Sequence, residues 1–206
     1  DLRNRGRFSV DAAVQFSKSG GVYLNAGEFI VEAGRTLSIS GASQVFRQQE
    51  GSLKVRGDLS LSSMTFNFDG GAIPEKPPLL LNTALNIGPA ATGVAAFRLR
   101  GRCALTGDLA PGQTLWVNGT TGVSATLSAA RGFTNGGTIQ LESSEISVAS
   151  NLVVAGGALV NQGLIALNRG SGGARTLTGD LDNQGRIELE TSAALNKSAG
   201  GVYTNT

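Results

Sequence analysis

Three arginines at alternate positions, Arg98, Arg100 and Arg102, are interleaved with Phe97, Leu99 and Cys103. In an extended strand this spacing sends the guanidinium groups out of one face and the apolar side chains out of the other. Lys54 and Arg56 repeat the alternation 44 residues earlier. Sharing a face, the five cations would form a basic patch suited to sulfated or carboxylated glycans or other polyanions. Charge on an outer strand face more often serves only solubility, so the spacing nominates a face without naming its ligand. Residues 1–102 carry 12 basic and 8 acidic groups and residues 103–206 carry 5 and 7. That balance is too mild for a dedicated nucleic-acid binder.

Cleavage of a polysaccharide asks for carboxylates paired at about 5 to 10 Å. At the repeat step derived below, Asp108 has Asn86 and Ala130 as its approximate neighbours, Asp180 has Ala158 and Glu188 has Ala166. Glu28 and Glu50 fall out of register with each other. Asp180 and Asp182 lack the oxygen density of a calcium site, no Gly-Gly-x-Gly-x-Asp repeat is present, and the chain has no His. The sequence therefore points away from an enzyme and from any cofactor; a catalytic site would have to lie within 71–130. Arg56-Gly57-Asp58 resembles an integrin-binding tripeptide. However, Gly-Asp-Leu recurs at Gly57, Gly107 and Gly179, which explains two of its three residues as a turn. Cys103 is the single cysteine, and its alternating context marks a small core residue.

The elements that would position these groups follow from a nine-residue pattern, apolar-x-Asn-x-Gly-x-apolar-x-apolar. It is anchored at Asn4, Asn25, Asn135, Asn161 and Asn183, is cut off after Asn205, and has a degenerate copy at Gln49. The anchors are 21 and 24 residues apart up to Gln49 and 26, 22 and 22 apart from Asn135 onward. A repeat of about 22 residues that alternates apolar and polar cannot bury its apolar side alone. Stacked coils of a β-solenoid can, by sending every second side chain into a shared lumen. At that step 206 residues make about nine coils. If the asparagines point inward, successive amides would stack about 4.8 Å apart and hydrogen-bond as a ladder, and the Gly two residues on would supply a positive φ at the corner. A second element, Gly-x-Thr-Leu, recurs at Gly34 and Gly112 with a relative at Gly173. Thr36, Thr114 and Thr176 occur once per motif, and the double Thr-x-Thr row of an ice- or crystal-binding solenoid is met only at Thr176-Leu177-Thr178, so that alternative ranks below adhesion and above catalysis.

These Asn-x-Gly-x-Ile repeats resemble the right-handed parallel β-helix shafts of bacterial surface and secreted adhesins, of the filamentous-haemagglutinin or autotransporter type. The likeness covers roughly residues 1–70 and 131–206. It implies a right-handed coil, an extracellular or cell-surface location and a structural or adhesive role, including glycan binding and stacking on adjacent repeats. Residues 71–130 depart from it, and Pro74, Pro77 and Pro78 predict an irregular, protruding loop near 74–78. No stretch is apolar enough to span a bilayer and no signal segment opens the chain. Residues 180–205 replay residues 1–25 at 12 positions, with Ala199 inserted. A super-repeat of about 180 residues within one longer solenoid is expected, with Gly at the position after Thr206.

Overall fold

The computed structural model describes residues 1–120, 122–168, 170–198 and 200–206; Ala199, the insertion in the replayed segment, lies outside them. The chain winds as a parallel β-solenoid of about 9 turns, roughly 43 Å long at one strand spacing per turn. Each turn begins on a first face. Its strands Leu2–Asn4, Gly21–Asn25, Gln44–Gln48, Thr65–Phe68 and Ala84–Ile87 pair in parallel order. A second face carries Arg7–Val10, Glu28–Val31 and Ser52–Val55. The third starts with Val14–Ser17, Thr36–Ser40, Asp58–Ser62 and Leu79–Leu81.

The coils continue through 71–130. Ala95–Thr106 pairs with Leu79–Leu81 through its first half and with Ala84–Ile87 through its second. Beyond Ser52–Val55 the second face shrinks to the isolated bridges Ser52 to Ala72 and Ile73 to Ala95. From Ala95 onward it is absorbed into the third face, which runs on through Gln113–Gly119, Thr138–Ser143, Leu164–Leu167 and Arg186–Leu189. On the first face Ala125–Ala129, Ser150–Asn161 and Arg175–Asn183 continue the series, and Ala193–Asn196 and Tyr203–Asn205 end it. What a coil needs here is an inward apolar residue at every second position, and Phe97, Leu99, Cys103 and Leu105 supply it without the Asn-x-Gly signature.

The lumen of the early coils is filled by phenylalanines that touch from turn to turn. Phe8 stacks on Phe29 at 4.9 Å and Phe46 on Phe66 at 5.4 Å, while Phe29 meets Phe46 edge-on at 5.7 Å. Such pairs favour offset or edge-on geometry. Later coils use Leu115, Ile139, Leu152, Ile165 and Leu177 instead.

Two expectations need correction. The segment near 74–78 is irregular and exposed over residues 74–76, but it is clipped to the preceding coil rather than free of it. Pro78 is buried, the Lys76 amide donates to the Val55 carbonyl at 3.1 Å, and Glu75 and Lys76 pair with Arg56 and Asp58. Missing ladder donors are thus offset by clips to the preceding coil. Nor do the signature glycines Gly6, Gly27, Gly137, Gly163 and Gly185 have positive φ. A Cβ on Gly27, Gly137, Gly163 or Gly185 would fall closer than 3.0 Å to backbone of the coil below, so their small size is required by close approach.

The replayed segments occupy different cross-sections. Val14–Ser17 pairs with Thr36–Ser40 on the third face, whereas its sequence counterpart Ala193–Asn196 pairs with the start of Arg175–Asn183. Fusion of the second and third faces between them is the physical reason.

Candidate functional site

The amides form an internal row. Asn4 Nδ2 donates to Asn25 Oδ1 at 2.7 Å, and Asn25 Nδ2 to Gln48 Oε1 at 2.7 Å. A second run joins Asn135 to Asn161 at 2.7 Å, Asn161 to Asn183 at 2.6 Å and Asn183 to Asn205 at 2.6 Å. Asn25, Asn135 and Asn161 are fully buried. Each amide also turns a corner. Asn4, Asn25 and Asn135 accept from the N–H of Gly6, Gly27 and Gly137, and donate to carbonyls of the next coil at Glu28, Ser52 and Leu164. Gln48, rather than Gln49, holds the third rung. Its longer side chain accompanies one extra residue before Gly51, so the spacing that locates the other amides misplaces it. Between the two runs the same column is taken by Phe68, Ile87 and, through its bridge to Asn135, Leu109.

The five proposed cations do not share one face. Lys54 stands on the second face and pairs with Glu28. Arg56 follows that strand and pairs with Glu32 at 3.1 Å and Glu75 at 3.4 Å. The Lys54 ammonium holds the Glu28 carboxyl below its ordinary range, and the hydrogen bond to Glu32 raises the Arg56 guanidinium above its own. Arg7 adds a further cation to these carboxylates. Within Arg56-Gly57-Asp58 both charges are therefore engaged, Asp58 by Lys76. Arg102 is separated from Arg98 and Arg100 by Gly101, which takes φ 68 and turns the chain from the third face onto the first. Ser63 and Asn82 turn the two preceding coils at the same corner with φ 53 and 50. In the sequence Gly101 falls on an inward position of an unbroken alternation, and its being a lone glycine within a strand pattern is the signal of the bend.

Arg98 and Arg100 remain together on the third face, with company that the spacing did not reveal. In register with Arg98 stand Leu79 on one side and Trp116 on the other. The Arg98 guanidinium lies over the indole at 5.0 Å from its centroid, and its Nε and Nη2 both donate to Asn118 Oδ1, at 3.2 and 3.0 Å. Trp116 Nε1 donates to Glu142 Oε2 at 2.9 Å. Arg100 lies beside Leu81; its Nε is buried without a partner. Burial, then the Arg98 charge, push its guanidinium below its ordinary value, against the opposing pull of Glu145. Among the described residues neither arginine has a carboxylate at ion-pair distance.

Arg175 lies in the Gly-x-Thr-Leu relative that starts at Gly173 and shares the inward parity of Leu177 and Leu181, a signal that places it inside. It is 1% exposed and donates to the carbonyls of Gly172, Gly173 and Ser143, tying the corner segments together. The carboxylates that might have paired across coils face small residues: Glu188 lies beside Ala166 and Asp180 beside Ala158, while Asp108 accepts from the Thr134 N–H at 2.6 Å. Among the described residues no three His, Cys, Asp or Glu side chains converge as metal ligands, and no helix is long and apolar enough to cross a membrane. Cys103 is 3% exposed, donates to the Leu80 and Arg100 carbonyls at 3.4 Å, and is raised in pKa by burial. A buried thiol in this state is a poor nucleophile. Ellman's reagent at pH 8 should therefore leave the folded protein unlabelled and react stoichiometrically after unfolding; prompt labelling of the native form would contradict this placement.

Comparison with protein-family models, with curated proteins and with solved structures gives no match for this chain.

Proposed function

We propose that this chain is a non-enzymatic structural and adhesive segment of a large bacterial surface or secreted protein, with saccharide recognition as its molecular activity. The observation that carries this reading is the internal amide row joined to a continuous apolar lumen. Together they give a long scaffold whose interior is fully used for cohesion and whose outer faces are left for contact. Recognition sites are commonly built on such rigid frames. The third face supports the adhesive part, since it presents hydroxyls, two leucines, an indole and two arginines without ion-pair partners rather than a uniformly charged coat.

Antibodies raised against residues 1–206 should label intact, unpermeabilised cells of the producing bacterium. Beads coated with the segment should be retained on a glycan-bearing surface and released when glycosidases strip it. Labelling that requires permeabilisation, or retention indifferent to glycosidase, would overturn the proposal.

A further inference from the structure

Along the third face the outward positions form two lanes that run parallel to the solenoid axis. Before Arg98 one lane reads Gln15, Ser38, Ser60 and Leu79, and before Arg100 the other reads Ser17, Ser40, Ser62 and Leu81. No charged side chain stands in either lane until the arginines. Past them come Trp116 and Asn118, then Gln140 and Glu142. The two lanes are therefore neutral and hydroxyl-bearing, carry a short apolar step at Leu79 and Leu81, and are closed by a concentrated positive charge; Asp58, outward in the neighbouring lane, is paired with Lys76.

We propose that Arg98 and Arg100, with Trp116 and Asn118 behind them, bind the carboxylate or sulfate group of an acidic saccharide whose sugar rings lie back along the serine and leucine lanes. The proposal rests on the adhesive reading and gives it a site and a ligand class. Two guanidinium groups projecting from alternate positions of one strand repel each other, and an anion between them removes that repulsion while accepting their N–H groups. Arg98 is already oriented: the indole supports its face and the Asn118 oxygen takes two of its donors. The Arg100 Nε is buried, so its terminal N–H groups are the ones that reach the ligand. Carboxylates set the direction, because Glu142 and Glu145 lie on the far side of the arginines and would repel an anionic ligand running that way. Toward Leu79 and Ser60 the two lanes are uncharged, and the carboxylate beside them, Asp58, is balanced by Lys76. A sugar ring has one apolar face and a rim of hydroxyls, which fits leucine and serine side chains in successive rows. A nucleic-acid strand carries a phosphate on every unit and gains affinity by meeting a run of cations; these lanes offer one pair.

Trp116 is the only tryptophan in the chain, so its emission reports this site alone. The intact 206-residue segment should be titrated with a heparin hexasaccharide, a hyaluronan hexasaccharide, a neutral dextran oligomer and a dT hexanucleotide. At least one acidic saccharide should shift or quench Trp116 emission, with an affinity that falls as salt rises, while dextran binds at least tenfold more weakly. Arg100→Gln should weaken the acidic saccharide by about tenfold or more, as expected for loss of a charge-assisted contact. Lys54→Gln, on the second face, should change it less than about twofold on the same physical grounds. Because Arg100→Gln alters a partly buried residue, Leu81→Glu provides an independent variant: it leaves both arginines in place, sets a carboxylate beside Arg100 and should likewise suppress binding. Melting curves verify that each variant is folded. Acidic-saccharide binding that survives both variants, or that leaves Trp116 emission unmoved, overturns this site while sparing the adhesive reading. No saccharide binding by the parent segment overturns both. Tighter binding of the dT hexanucleotide than of any saccharide overturns the ligand class.

Discussion

Replacing Asn161 with Leu is expected to lower stability by about 3 kcal/mol, because two buried neighbouring amides lose their partner. Asn161 accepts from Asn135 at 2.7 Å and donates to Asn183 at 2.6 Å and to the Arg186 carbonyl at 3.2 Å. Leucine has about the right volume but no polar atoms, so the Asn135 N–H and the Asn183 oxygen each forfeit a bond to the same substitution. Unsatisfied buried groups cost about 1 to 3 kcal/mol each, and the carbonyl of Leu164 still holds part of Asn135. Gln162, the next residue, is the matched control. Its side chain is exposed and reaches only Gln184, at 3.2 Å, so Gln162→Leu should stay within about 0.5 kcal/mol of the parent. Denaturant titration of the three proteins measures the difference. Equal midpoints for Asn161→Leu and the parent would remove the row from any account of stability. The same change at Asn183, closer to the exposed last strands, should give a smaller loss of about 1 to 3 kcal/mol.

A second large effect is expected at Gly163. Adding a single methyl there, Gly163→Ala, should cost about 3 kcal/mol or prevent folding, since overpacking against backbone cannot be relieved by rotating a side chain. The new Cβ would lie closer than 3.0 Å to the Gly137 carbonyl oxygen and the Gly136 carbonyl carbon. Gly6 occupies the same place in the same motif, yet a Cβ on it meets nothing within 4 Å, because no coil lies beneath it in the described chain. Neither glycine has a positive φ. Gly6→Ala should therefore be tolerated, with a change under about 1 kcal/mol. Paired melting curves discriminate the two; similar losses at both positions would mean that the backbone conformation, rather than the approach of neighbouring coils, selects glycine.

The contrast shows which physical quantities a repeat exposes in sequence. Asn135, Asn161 and Asn183 are legible because hydrogen-bonded rungs demand one residue type at one position per coil, and that demand survives as a visible period. Close approach also selects one type, glycine, but the sequence carries no mark that distinguishes crowding from positive φ, so the reason assigned to those glycines was wrong while their location was right. The column through Phe68, Ile87 and Leu109 demands only an apolar side chain. Many residues satisfy that, so no period appears and 71–130 looked like a departure. Arg98, Arg100 and Arg102 follow a faultless alternation, and alternation is what a strand keeps while it rounds a corner at Gly101. Trp116 and Asn118 stand about a coil away from Arg98 in the chain. Only the strand register, in which the step here is 18 residues rather than about 22, brings them together.

The interruption of the amide row has a mechanical consequence. Hydrogen-bonded rungs are directional, so they resist rotation of one coil over the next, and neighbouring rungs reinforce one another. Apolar contacts at the same position hold the coils together without fixing their angle, because the hydrophobic attraction has no direction. Between Gln48 and Asn135 that directional fixing passes to bonds outside the column, from Asn86 to Asn67 at 2.8 Å, from Thr83 to the Leu61 carbonyl at 3.0 Å and from Arg98 to Asn118. Arg98 and Arg100 stand on one strand of those same coils, so any twist of one coil over the next carries the two guanidinium groups together and shifts them as a pair against the rows of the neighbouring coils.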